Sequence, residues 1–247
     1  MIEGPRVTGR GDRERLPADV VKVGGSLARE PGALRGTLAA LAEADAAPLV
    51  VPGGGPLADA VRRLHAGGGL SEETAHRMAL LALDQCALWL AELAGPGARA
   101  RVVSSREEIV RALDLGELPV LAPSRWLEVE DEAGQLPASW QVTSDSIAAW
   151  TAGRIGARRL LLLKSFAFRA RRIAPGDLRD AVDAFFLRAL PQDLECRFVD
   201  GREPAGVLAA LAGEPGAGTL LQEGGDDPAP GLGRSPAASR ARGGELV

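Results

Sequence analysis

The chain has 247 residues, 46% of them hydrophobic and 25% charged, which is enough apolar material for one sizeable core or two small ones. A net charge of −4, with no tyrosine, four tryptophans and five phenylalanines, supplies neither the basic footprint nor the stacking platforms of a nucleic-acid partner. No run approaches the roughly 18 consecutive apolar residues of a membrane span, so no membrane partner is expected.

Residues 1 to 17 are charged and rich in glycine and arginine and read as a disordered arm. Then come a strand at "VVKV" (Val20 to Val23), a helix from Ala33 to Ala44, a strand at "APLVVP" (Ala47 to Pro52), and helices from Leu57 to His65 and from Glu72 to Leu93. They are followed by strands "ARVV" (Ala100 to Val103) and "LPVLAP" (Leu118 to Pro123) around a helix from Glu107 to Leu113. A helix from Ser144 to Ile155 leads into the strand "RLLLLK" (Arg159 to Lys164), and a helix from Leu178 to Leu190 leads into "CRFVD" (Cys196 to Asp200). A short helix from Ala205 to Leu211 and a last strand at "GTLLQ" (Gly218 to Gln222) close the folded part. From about Glu223 the chain is Gly, Pro, Ser, Ala and Arg and reads as a disordered tail. Strands this short and uniformly apolar are buried on both faces, so residues 18 to 222 are expected to form one α/β domain, a three-layer αβα sandwich with a mostly parallel central sheet. Cys86 and Cys196 lie in apolar patterns without C-x-x-C spacing and read as reduced, buried thiols. With a polar N-terminus that lacks the apolar stretch of a signal peptide, the expected compartment is the cytoplasm.

Two stretches stand out. Of 29 basic residues only Lys22 and Lys164 are lysine, every other being arginine, and both sit in strands. A chain that uses guanidinium for its general cations keeps an ammonium where a compact, mobile point charge is needed. Lys22 is followed by Gly24-Gly25-Ser26, and the second strand likewise runs into Gly53-Gly54-Gly55 ahead of a helix. Glycine turns at the carboxyl ends of parallel strands let backbone approach an anion closely, although each alone is equally a tight strand-to-helix turn. Neither a P-loop nor a G-x-G-x-x-G pattern occurs.

"VVKVGGSL", "VVPGGGPLADAVR" and "VTSDSIAAWTAGRIGARRLLLL", in that order, resemble the amino acid kinase superfamily over roughly Asp19 to Leu221. Finer stretches, "SEETAHRMALLALDQ", "LAPSRW", "SWQVTSDSIAAW", "VDGREP" and "GEPGAGTLL", resemble the branch that includes the aminomethylfuran-methanol phosphate kinase of methanofuran biosynthesis, which converts a phosphate monoester to a diphosphate. The resemblance implies an ATP- and Mg2+-dependent small-molecule kinase. Lys22 would contact the transferring phosphoryl group, Asp145 would organise it, and Gly24, Gly25, Ser26, Thr143 and Ser144 would hold nucleotide phosphates. Gly53, Gly54, Gly55 and Arg62 (with Arg63 nearby) would hold a phosphorylated small-molecule acceptor. Metal would arrive with the nucleotide rather than on protein ligands. A homo-oligomer built through the helices that flank the sheet, the long Glu72 to Leu93 segment among them, is also implied.

One departure bears on the nucleotide. Where the family commonly continues into a D-V-D-G-like turn, this chain reads "LLLLKSFAF"; Lys164 there is either a second cation at the phosphates or a solvated strand end. A non-catalytic nucleotide or anion binder, and a kinase for an amino-acid carboxylate or a nucleoside monophosphate, stand as the other readings. Apart from the resemblance, Asp145 reads as a helix N-terminal carboxylate, His76 as a packed or capping imidazole, and Trp126, Trp140 and Trp150 as core, as subunit contact or as the wall of a flat-ring pocket.

Overall fold

Val20 and Lys22 point to one side of their strand, Val21 and Val23 to the other, and that period of two organises the whole molecule. The computed structural model describes residues 16–178 and 181–222. Its sheet has strands β1 (Asp19–Val23), β2 (Leu49–Pro52), β3 (Ala100–Val103), β4 (Leu118–Leu121), β5 (Arg159–Lys164), β6 (Arg172–Ile173), β7 (Glu195–Asp200) and β8 (Thr219–Leu221) in the order β3-β4-β2-β1-β5-β7-β8-β6. Only the β7–β8 pairing is antiparallel. Helices are α1 (Pro31–Ala42), α2 (Gly55–Ala66), α3 (Glu72–Ala94), α4 (Arg106–Asp114), α5 (Pro123–Glu130), α6 (Ser144–Ile155), a single turn α7 (Phe186–Ala189) and α8 (Pro204–Leu211).

One sheet face buries Val20, Val51, Leu160 and Leu162 against Ile109 of α4, Trp126 of α5, Ala148 and Ala152 of α6 and Phe186 of α7. The opposite face buries Val21, Val50, Leu161 and Leu163 against Leu34 and Leu38 of α1, Leu90 of α3 and Val207 of α8. This is the three-layer αβα arrangement expected, with helices on both sides of a mostly parallel sheet. Both cysteines are free and buried. Among the described residues no helix is long and apolar enough to cross a membrane.

Four local features depart from the reading of the sequence. The helix expected from Leu178 to Leu190 is a helical turn at Phe186–Ala189, with residues 181–185 in turns and irregular backbone that carry Asp183 toward α6. The strand expected to run to Pro123 stops at Leu121, and Pro123 instead opens α5 at its first position, where a missing N–H costs nothing. Strand β6 is two residues long, too short to leave a periodic signal. Leu16, expected in the arm, packs into the core; the rest of that arm up to residue 15, and the tail from residue 223, lie outside the described residues.

The two glycine turns meet. A Cβ on Gly25 would lie 2.5 Å from the backbone nitrogen of Gly55, and one on Gly53 would lie 2.5 Å from the nitrogen of Gly25. Gly55 adds a positive φ of 48°. Glycine at 25 and 53 is thus demanded by the turns' own packing, which locks the carboxyl ends of β1 and β2 together. Gly25→Ala is expected to lose about 1–3 kcal/mol through overpacking against backbone that cannot yield; an unchanged urea midpoint in that variant would show that the turns do not interlock.

Candidate active site

Strand alternation places Lys22 of β1 and Lys164 of β5 on the α6 side of the sheet. The register pairs Lys22 with Leu162, so Lys164 stands two residues further toward the carboxyl end of the neighbouring strand. Asp145, in the first turn of α6, fills the gap between them. Lys22 Nζ lies 2.9 Å from Asp145 Oδ1, and Lys164 Nζ donates to Oδ1 at 2.9 Å and to Oδ2 at 3.1 Å. All three are buried, at 4% exposure for Lys22 and 7% each for Asp145 and Lys164. The solvated strand end considered for Lys164 is therefore not what the structure shows.

Electrostatics follow from that count of charges. Burial pushes the Asp145 carboxyl up, but Lys22 and Lys164 outweigh it and hold the group below the usual carboxylate range. Lys164 is pushed down to about 8, first by burial and then by the neighbouring Lys22 ammonium, with Asp145 and Asp183 acting in the opposite sense. Two ammoniums share one bonded carboxylate in a place water barely reaches, and Asp183 adds a negative charge that is bonded to neither of them. An anion of the right shape would give both a further partner.

The surrounding residues sort into groups. Gly24 donates its N–H to Leu163 O at 2.9 Å, and the Ser26 and Ser165 hydroxyls are 2.9 Å apart, joining the turns after β1 and β5. Thr143 and Ser144 start α6; the Thr143 hydroxyl and amide both donate to Asp183 Oδ2, at 2.7 and 3.1 Å. On the other side of Asp145, the Ser146 amide donates to the same oxygen at 3.0 Å and its hydroxyl donates to Oδ1. Sequence reasoning missed Asp183, because its bonds span about forty residues with no spacing signal.

Beside the second glycine turn opens a small cleft lined by Gly54, Arg62, His76, Trp140, Thr143 and Ser144 among others, none of them a carboxylate. Arg62 pairs with Asp59 at 2.6 Å and stacks over the Trp140 ring at 5.6 Å, while Arg63 is exposed and outside the cleft. Burial lowers the pKa of His76, which favours the neutral ring. Trp126 is fully buried core and Trp150 bonds Gln135, which leaves Trp140 as the tryptophan that faces the cleft. No group of three or more His, Cys, Asp or Glu side chains among the described residues could hold a metal ion.

A dry pair of ammoniums at the mouth of a parallel sheet suits a polyanion, and the chemistry that works on polyanions by positioning and charge is phosphoryl transfer. A model of the amino acid kinase family matches residues 19–167. The chain belongs to that family and is a phosphotransferase. It is 23% identical over 208 residues to the [5-(aminomethyl)furan-3-yl]methyl phosphate kinase of Methanocaldococcus jannaschii, covering 79% of this chain and 93% of that protein. Solved structures agree on the fold. The uridylate kinase of Archaeoglobus fulgidus superposes with a TM-score of 0.60 at 17% identity over 82% of this chain and 99% of that one. For the UMP kinase of Bacillus anthracis the values are 0.61, 17%, 82% and 94%.

The depressed Lys164 pKa makes a stability claim. Between about 8 and its ordinary value of 10.5, the unfolded chain binds a proton that the folded one does not, so stability rises with pH in that window and the gain is lost as pH falls through about 8. Lys164→Met should therefore be at least as stable as wild type in urea at pH 7, with wild type gaining on the variant from pH 8 to 10.5. A variant that is destabilised most at pH 7 would contradict this charge balance.

Proposed function

We propose that the protein transfers the γ-phosphoryl group of ATP to a small phosphate monoester, of the kind named for its M. jannaschii relative. The observation that carries this reading is the pair of ammoniums, Lys22 and Lys164, converging on the single carboxylate of Asp145 beside two interlocked glycine turns. Those residues fit a magnesium nucleotide: the turns hold backbone where side chains would collide, and two ammoniums converge where charge needs neutralising. ATP, with its magnesium, supplies the phosphoryl group and the leaving ADP. Gly25 and Ser26, with Ser144, would hold its phosphates; the Gly24 N–H is already engaged by Leu163 O and the Thr143 hydroxyl by Asp183. Asp145 is the carboxylate nearest to that charge and keeps both ammoniums aimed at one point.

The acceptor reading rests on the cleft. Gly54 and Arg62 offer an N–H-bearing turn and a guanidinium to a phosphate, and Trp140, whose ring carries that guanidinium, lines the same cleft. An acceptor phosphate is already ionised near neutral pH, so no side chain need remove a proton from it. Lys22 and Lys164 then stabilise charge spreading over the transferring group, a role that a rigid guanidinium fork fills poorly. Homo-oligomer formation belongs to the same reading, supported by Leu81, Leu88 and Trp89, which stand exposed along one side of α3.

Labelled ATP offered with an aminomethylfuran-type phosphate, UMP or an amino-acid carboxylate is expected to yield ADP and a diphosphate with the first. Product with UMP or the carboxylate alone would reassign the acceptor, and nucleotide protection without ADP would make the protein a binder. Lys22→Arg should lower kcat by about a hundredfold or more with the fold retained. Since the pKa of Lys164 is about 8, kcat/KM for ATP should decline above that pH as the second cation is lost; a flat profile to pH 9.5 would remove Lys164 from the reaction.

A further inference from the structure

Helices α3 and α4 cap themselves: Ser71 accepts from the Thr74 amide and Ser105 from the Glu108 amide. Helix α6, which carries Asp145, does not, because the hydroxyl of its N-cap Thr143 is turned outward to donate. Its cap is borrowed from Asp183, whose carboxylate takes the Thr143 amide and hydroxyl on one side of Asp145 and the Ser146 amide and hydroxyl on the other. The lending segment is itself fixed: Phe185 N donates to Gln141 O at 3.1 Å, and Phe186 is fully buried in the core. Asp183 also lies beyond residue 167, where the match to the family model ends.

We propose that Asp183 is a positioning residue of the phosphoryl-transfer site. By gripping α6 on both sides of Asp145 it holds that carboxylate at the height where both ammoniums reach it, and it adds the second negative charge that the cluster feels. This inference rests on the kinase reading for its consequence in turnover, but not for its geometry. A local cap would have secured the helix end equally well; a capping carboxylate brought from a distant segment secures the end and biases the cluster electrostatically. Among the described residues, the charged groups that act on Lys164 are Lys22 from β1, Asp145 from α6 and Asp183 from the segment before α7; its register partner on β7, Asp200, is paired with Arg202.

Because the chain has two lysines, protein labelled with 13C and 15N at lysine side chains gives two ammonium signals, and their titration reads the cluster without turnover. In Asp183→Asn, which keeps the shape and one acceptor oxygen, the Lys164 midpoint is expected to move to lower pH. The kcat should fall tenfold or more while KM for ATP and for the acceptor stays within about twofold. A wild-type midpoint together with wild-type kcat per folded molecule overturns the proposal. Should Asp183→Asn not fold, Ser146→Ala keeps the carboxylate and removes one donor to it; a lowered kcat at unchanged KM supports the proposal, and wild-type kcat overturns it. If wild-type protein makes no ADP, the kinase reading falls by itself, while the Lys164 midpoint in Asp183→Asn still decides whether Asp183 sets the cluster.

Discussion

Two ammoniums share one carboxylate in the dry interior of this protein, and most of what surrounds them makes that arrangement bearable. Taking a charge out of water costs several kcal/mol even after relaxation; two cations against one anion make it worse, and Lys164 registers the cost in its lowered pKa. What lowers the cost is geometry. Adjacent parallel strands present both ammoniums on the same side, a helix start presents the carboxylate between them, and a second carboxylate behind it adds negative potential. Two ammoniums aimed at one point suit an incoming anion, and a site that binds its ligand's charge more tightly as that charge spreads is how electrostatics accelerates transfer.

The fold exists to bring loops from separate strands to one place. Strand β1 lies between β2 and β5, so the turns that follow all three open side by side. The glycines do two things at once. They let the β1 and β2 turns touch backbone to backbone, and in the proposed reading the same turns lend main-chain groups to a ligand. Packing and binding need the same residues there, so glycine alone could not have told one role from the other.

Much of this was legible in the sequence, and the limits are instructive. The alternation in "VVKV" and "RLLLLK" already placed each lysine on the same face as Val20 and Leu162, and the scarcity of lysine marked both. Uniformly apolar strands gave the layered sheet. Asp145 needed the family resemblance, because a carboxylate after Thr-Ser at a helix start is equally an ordinary end charge. Asp183 was not legible: "DAVDAFFLRAL" has good helical periodicity, and only tertiary packing turns Asp183 out of a helix and onto the end of another one. Likewise, nothing in the order of residues separates Trp140, at the cleft, from Trp126 in the core; burial decides it.

The preference for arginine has one more outcome. Lysine amines are the groups that acetyl and other acyl donors modify, whereas guanidinium stays protonated and unreactive toward them. With arginine as every basic residue but two, and those two sealed against Asp145, the protein's outer charge cannot be edited by side-chain acylation. A reagent that reaches a lysine here has to enter the pocket proposed for the transferring phosphate.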